Sequence, residues 1–257
     1  MKAIELTYQK NIRDLGGLIG YGGKKVKSGR LYRGGFLDKI SPEDEIILYS
    51  LQLTDIIDFR SELEYNQRPD YRISGVEYHN FPPLIDNIKE EDKSLADSNL
   101  LWFVSPDKTG FEHMVKMYRE MIYTDIGKKA YQDFFNLILS KEDGVFYFHC
   151  SQGKDRAGLA AYFLEIALGV DEEVARADYL YSNKAMGVRI DQLLAIVKNR
   201  PYYNEKYEQS LRDVFAAKEE YLDASIQAIE ETDGSILDYL RNVLNVDIEK
   251  LRKLSLE

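Results

Sequence analysis

One cysteine, three histidines and six prolines are all that the 257 residues hold of these types. A lone thiol cannot close an internal disulfide or anchor a multi-cysteine zinc site, so Cys150 has to be judged by its neighbours. No stretch approaches the roughly 18 apolar residues of a membrane span. The opening Met1-Lys2-Ala3-Ile4-Glu5-Leu6 also lacks the apolar run of a signal peptide. These absences predict a soluble chain without stable membrane insertion, cytoplasmic unless export proceeds without a cleaved signal. Positive charge is in deficit too. A net charge of −10 argues against wholesale binding to nucleic acid or anionic lipid, although it permits one local basic pocket.

What is present is ordinary for a folded protein: 44 % apolar, 12 % aromatic and 30 % charged residues, enough for a sizeable core. No shift in composition marks a linker, so residues 1–257 read as a single domain. Glycine punctuates the first third at Gly16-Gly17, Gly20, Gly22-Gly23 and Gly34-Gly35, which fits loops and short strands. Ser41-Pro42-Glu43-Asp44 supplies an N-cap, a proline and an acidic first turn, so a helix is expected there. Thr54–Phe59 and Val76–Phe81 are β-rich runs bounded by turn residues. From Phe111 to Ser140 the apolar spacing predicts two helices interrupted at Gly127. Val145-Phe146-Tyr147-Phe148 has the length and composition of a strand buried on both faces.

Leu159 to Gly169 then reads as a helix stopped by glycine. Asp171 can cap a further helix through Tyr181, and periodic runs cover Ile190–Lys198, Tyr203–Ile229 and Ile236–Leu254. Strands alternating with helices, followed by a helical C-terminal part, predict an α/β fold with a mostly parallel central sheet flanked by helices. Residues 86–110 are polar and give no clear element.

The chemistry concentrates where the buried strand turns into a helix, at His149-Cys150-Ser151-Gln152-Gly153-Lys154-Asp155-Arg156. Successive backbone N–H groups in such a turn form a nest, and the helix behind it presents its partially positive end to the same spot. Ser151, Gln152, Gly153, Lys154, Asp155 and Arg156 are therefore the expected phosphate-binding positions. Gly153 allows backbone angles that other residues resist, and Arg156 can offer two parallel donors to a phosphate. The same field favours the thiolate, the nucleophilic form of cysteine. Cys150, Asp155 and Arg156 are thus expected as nucleophile, proton donor and acceptor, and transition-state clamp. The bland alternative is a buried core thiol, but it leaves the glycine and arginine at these offsets unexplained.

This run resembles the cysteine phosphatases whose signature is His-Cys, five residues and Arg, and more closely the PtpB-like bacterial tyrosine phosphatases. Asn11-Ile12-Arg13-Asp14-Leu15-Gly16-Gly17, Gly29-Arg30-Leu31-Tyr32-Arg33-Gly34 and Ile57-Asp58-Phe59-Arg60-Ser61-Glu62-Leu63-Glu64 look like that family's N-terminal motifs, in the expected order. The resemblance implies the cysteine-phosphatase fold and hydrolysis of phosphate monoesters through a phosphocysteine. It further implies Asp155 as general acid, no cofactor, and phosphorylated protein or phosphoinositide as substrate. A helical lid at about 203–230 is a further implication. The residue after the loop arginine is usually Ser or Thr and here is Ala157, so phosphoenzyme breakdown is expected to be slow and Ala157→Thr to speed it.

Asp86, Asp107 and Asp125 are rivals to Asp155, because related enzymes take the acid from an upstream loop. Lys24, Lys25, Lys27, Arg30 and Arg33 form a basic run, read as a solvated loop in preference to a second phosphate site. Arg13, Asp14, Asp58, Arg60 and Glu64 are read as scaffold. His149 is expected to brace the loop, His79 and His113 to stand alone, and no metal site is suggested. Two other functions compete with the hydrolase. One is a phosphate-binding pseudophosphatase, for which Ala157 is the only hint; the other is sulfur or arsenate transfer, for which resolving thiols are missing.

Overall fold

The structure, a computed structural model, describes residues 2–85, 109–199 and 203–257. Two short antiparallel strands, β1 (Lys2–Ile4) and β2 (Ile12–Asp14), lead into β3 (Leu31–Gly35). Helix α1 (Pro42–Ser50) starts on the predicted cap: Ser41 and Asp44 form a reciprocal capping box. Strand β4 (Asp55–Asp58) and helix α2 (Glu62–Gln67) follow, the latter capped in the same way by Ser61 and Glu64, and then β5 (Glu77–Asn80). Beyond the polar segment come α3 (Gly110–Tyr123), α4 (Asp125–Ser140) and β6 (Phe146–Cys150). The C-terminal part contains α5 (Arg156–Ala167), α6 (Glu172–Val197), α7 (Glu205–Phe215), α8 (Glu219–Asp233) and α9 (Ile248–Ser255).

The strands form one mixed sheet in the order β1-β2-β3-β6-β4-β5. Pairings β3/β6, β6/β4 and β4/β5 are parallel, while β1/β2 and β2/β3 are antiparallel. The expected α/β class with a mostly parallel sheet is what the chain adopts. Strand β6 lies at the centre, and its register sets Gly35 beside Cys150 and Asp58 beside His149. The carboxyl ends of three parallel strands therefore converge, which is where open α/β sheets form binding crevices.

The two-sided apolar character of β6 follows from its place. Phe146, Phe148 and Cys150 face a large core with Tyr131, Phe134 and Leu164, while Tyr147 faces a second core with Ile12, Leu37 and Ile56. Helix α5 is buried around nearly its whole circumference, as its run of Ala, Leu, Tyr and Phe requires. Gly169 ends the following turn in the left-handed conformation, as expected.

Four boundaries differ from the expectations, one of them the 236–254 run, which breaks into Ile236–Asp238, a π-helical turn Tyr239–Val243 and α9. The break in the 111–140 run falls at Thr124, whose hydroxyl accepts the N–H of Gly127; Gly127 itself sits inside α4 because a Cβ there would lie 2.2 Å from the Met121 carbonyl oxygen. Helix α6 joins two predicted segments into one of 26 residues, since neither a proline nor a cap separates them. Conversely, the 203–229 run is two helices, broken where Ala216 and Lys218 take extended backbone angles.

Candidate active site

The residues Ser151–Asp155 turn the chain between β6 and α5. Gly153 has a φ of +67°, and a Cβ on it would lie 2.3 Å from the carbonyl carbon and oxygen of Gly34 on β3, so glycine is required twice over. The loop is gripped from outside. The Gly153 carbonyl accepts from Arg33 at 2.8 Å, and the Gln152 carbonyl accepts from the Asn11 amide at 3.0 Å. Every peptide bond of the loop is trans, so the N–H groups of Gly153 and Lys154 point opposite to these carbonyls, away from Asn11 and Arg33. These N–H groups and the N-terminus of α5 are the candidate donors for an anion. Cys150, 1 % exposed, ends the strand just before the loop.

The grip is itself anchored. Asp178 on α6 receives Arg13 Nε at 2.6 Å and Arg33 Nη1 at 2.5 Å, with all three side chains buried. Scaffold is thus the role Arg13 plays. Arg33 and Arg30 depart from the solvated reading: Arg30 is buried against the carbonyls of Lys141, Glu142 and Gly144 at the other end of the sheet. Lys24 and Lys25 alone of that run are exposed, and Lys27 is partly so.

Arg156 opens α5, and its guanidinium forms a two-point pair with Glu64 at 2.5 and 3.1 Å. Its Nη2 also reaches the Ser151 hydroxyl at 3.2 Å, and that hydroxyl donates to Glu64. The two parallel donors expected for phosphate are engaged by a protein carboxylate, which leaves Nε–H for a phosphoryl oxygen. Burial alone would raise the Glu64 pKa, but Arg156 and the bonds from Ser151 and Ser61 outweigh it and hold it down at about 2. Glu64 therefore does more than the scaffold role read from sequence: it orients the clamp. The capping box that starts α2 is what fixes it there.

Behind Cys150 lies a buried charge cluster. His149 Nε2 is 3.1 Å from Asp70 and Nδ1 is 3.3 Å from the Cys150 carbonyl oxygen. Arg60 binds Asp58 through Nε and Nη2 and reaches Asp70 at 3.0 Å. Burial pushes the His149 pKa down, yet Asp70 and Asp58 overcome it and raise it to about 9, so the imidazole carries charge at neutral pH. His149 braces the loop as expected; Asp70, which no sequence motif singled out, holds His149.

Lys154 is placed differently from the expectation. Its ammonium is buried and donates to the carbonyls of Val214 and Ala216 at 2.7 and 3.0 Å, and it lies 2.9 Å from Asp155 Oδ1. Two of its protons are thereby engaged by the α7–α8 junction, which the residue ties to the loop. Asp155 is partly exposed, and the Tyr118 hydroxyl donates to its Oδ1 at 2.8 Å. Of the rival acids, Asp125 opens α4 beside Asn80–Pro82, bordering a cavity of about 480 Å³; Asp86 and Asp107 lie outside the described residues.

Two groups have metal-like spacing among the described residues: Asp58 with Asp70 and His149, and Asp55 with Glu77 and His79. A side-chain cation already sits in each, Arg60 in the first and Lys141, 2.7 Å from Asp55, in the second. His79, expected to stand alone, is 2.8 Å from Asp55.

Comparison with known proteins places these features in context. The family model described as the tyrosine phosphatase family matches residues 4–257. A Cupriavidus necator protein assigned by name to the tyrosine-protein phosphatases is 32 % identical over 244 residues, covering 94 % of this chain and 84 % of that one. The triple specificity protein phosphatase PtpB of Mycobacterium tuberculosis is 27 % identical over 241 residues, covering 84 % and 86 %. Two solved structures of P. aeruginosa TpbA, 13 % and 14 % identical, align over 90 % of this chain and 88 % of theirs with TM-scores of 0.32 and 0.34.

Proposed function

The chain belongs to the tyrosine phosphatase family, and from that premise we propose that Cys150, Arg156 and Asp155 hydrolyse phosphate monoesters through a phosphocysteine. One observation carries this reading: the only cysteine of the chain ends a buried strand, and after five intervening residues the chain enters the N-terminus of a buried helix at Arg156.

In the first step the Cys150 thiolate attacks phosphorus in line, the bond to the leaving oxygen breaks, and Asp155 gives that oxygen a proton. The loop amides and Arg156 bind the equatorial oxygens, where charge is spread in the transition state. In the second step water attacks the phosphocysteine, Asp155 takes the proton from water, and the P–S bond breaks to release phosphate and thiolate. No cofactor enters either step. Asp155→Asn should flatten one limb of the pH–rate profile; an intact profile would move the role to an upstream aspartate.

Phosphotyrosyl protein is the first substrate class on this reading. The triple specificity named for the M. tuberculosis relative supports extending it to phosphoserine or phosphothreonine and to phosphoinositide. Intact Cys150, Asp155 and Arg156 speak against a pseudophosphatase. The test is phosphate release from phosphotyrosine peptide, phosphoserine peptide and phosphoinositide under reducing conditions, with Cys150→Ser as the blank. Release that Cys150→Ser abolishes is expected and ranks the substrates; none above the blank from any of the three overturns the reading. The 203–230 helices support a lid reading only through Lys154, which binds the junction between them.

A further inference from the structure

We propose that Tyr118, itself oriented by Tyr179, is the positioning residue that fixes which oxygen of Asp155 handles the catalytic proton. The inference rests on the reading of Asp155 as general acid and base. Two groups converge on a single oxygen of this carboxylate: the Tyr118 hydroxyl donates to Oδ1 at 2.8 Å, and the Lys154 ammonium ion-pairs with the same oxygen at 2.9 Å. A carboxylate oxygen that accepts a hydrogen bond and faces a cation is the poorer proton carrier, so the transferable proton belongs on Oδ2.

The direction of the chain is also fixed. The two tyrosine hydroxyls are 2.8 Å apart, and because Tyr118 uses its one proton on Asp155, Tyr179 must donate to Tyr118. Both rings are 0 % exposed. Burial first, and then the negative charge of Asp155, hold both phenols well above their ordinary pKa, so they remain donors. Their rings meet edge to face at 6.3 Å, and Ser225 on α8 donates to the Tyr118 carbonyl at 2.9 Å. Tyr118 thus stands on α3, tied to α6 and α8, and reaches into the loop from a rigid frame.

The consequence is specific to proton transfer. As Asp155 loses its proton to the leaving oxygen, negative charge grows on a carboxylate already pointed at a fixed donor and a fixed cation. Without Tyr118 the carboxyl can rotate about its last bond, and the acid is presented in the wrong sense part of the time. A good leaving group needs no proton and should not register the loss.

The experiment compares kcat/KM for p-nitrophenyl phosphate, a good leaving group, with phenyl phosphate, a poor one, in wild type, Asp155→Asn, Tyr118→Phe and Tyr179→Phe. kcat/KM is used because it reports the step in which the leaving group departs. Asp155→Asn should lose far more on phenyl phosphate than on p-nitrophenyl phosphate. Tyr118→Phe should show the same selectivity with roughly a fivefold extra loss on phenyl phosphate, the worth of one hydrogen bond. Tyr179→Phe, which removes only the outer hydroxyl, should show a smaller loss of the same kind, and it serves alone if Tyr118→Phe does not fold. Selectivity in Asp155→Asn combined with equal or no loss on the two substrates in the tyrosine variants overturns this inference alone. No selectivity in Asp155→Asn overturns it together with the assignment of the acid.

Discussion

Replacing Asp70 by asparagine removes one negative charge from the cluster behind Cys150 while keeping its shape. Burial opposes the Asp70 carboxylate, yet His149, Arg60 and the Leu37 N–H outweigh it and hold its pKa at about 2 against an ordinary 3.8. His149 stands at about 9 against 6.5. At about 1.4 kcal/mol per pH unit these differences correspond to roughly 2 and 3 kcal/mol, but they describe one interaction and do not add. The value at His149 also contains Asp58, so we take about 2 kcal/mol for Asp70. The signs define the pH window. Stabilisation through His149, whose pKa is raised, is full below 6.5 and fades as pH rises through about 9. Stabilisation through Asp70, whose pKa is lowered, is present above 3.8 and is lost as pH falls through about 2. Wild type and Asp70→Asn should therefore differ most between those limits, by about 4 to 8 °C in melting temperature for a chain of this size. The gap should narrow by pH 9.5, leaving only the lost contact to Arg60. Melting curves at pH 6 and pH 9.5 test this, and an equal gap at both would refute the charge-based account.

Three further outcomes follow from the loop. Glu64→Gln should lower kcat/KM on the order of tenfold by releasing the Arg156 clamp from a charged two-point pair, with little change in melting temperature because Glu64 is partly exposed; unchanged kinetics would return Glu64 to scaffold. Gly153→Ala should lose most activity, because a Cβ there meets the Gly34 backbone and the positive φ resists it; near-normal kcat would show that the loop tolerates another path. Ala157 is fully buried, so Ala157→Ser is a gentler test than threonine. It should raise steady-state turnover while leaving the initial burst alone, and an unchanged rate would show that phosphoenzyme breakdown is not limiting.

The loop was legible because its parts are contiguous: a buried strand, a cysteine, a glycine with positive φ and an arginine at the start of a helix all fall within one run. Strand and helix assignments near it held for the same reason. What stayed hidden depends on contacts between distant segments. In the sequence Glu64 reads as scaffold, and it does cap α2, but its carboxylate also pairs with Arg156, 92 residues on. Asp70 carries no local signal and gains its role only when β4 and β6 pair. Lys154 sits at a phosphate-binding position, yet its long side chain turns to the Val214 and Ala216 carbonyls on a junction 60 residues away. Tyr118 and Tyr179 lie in runs read only as helical; their hydroxyls matter only through where they end. Arg30 and Arg33 belonged to a run that looked solvated, because charge pattern alone does not show that buried backbone carbonyls await guanidinium donors.

The central claim is that phosphate passes through Cys150. Acid quenching of wild type, Asp155→Asn and Cys150→Ser during turnover of p-nitrophenyl phosphate, whose leaving group needs no proton, followed by mass spectrometry of the peptide containing Cys150, tests it directly. The account predicts one phosphoryl group on Cys150, accumulating more in Asp155→Asn because the second step then lacks its base, and none in Cys150→Ser. A phosphoryl group on another residue, or turnover that survives in Cys150→Ser, would contradict it.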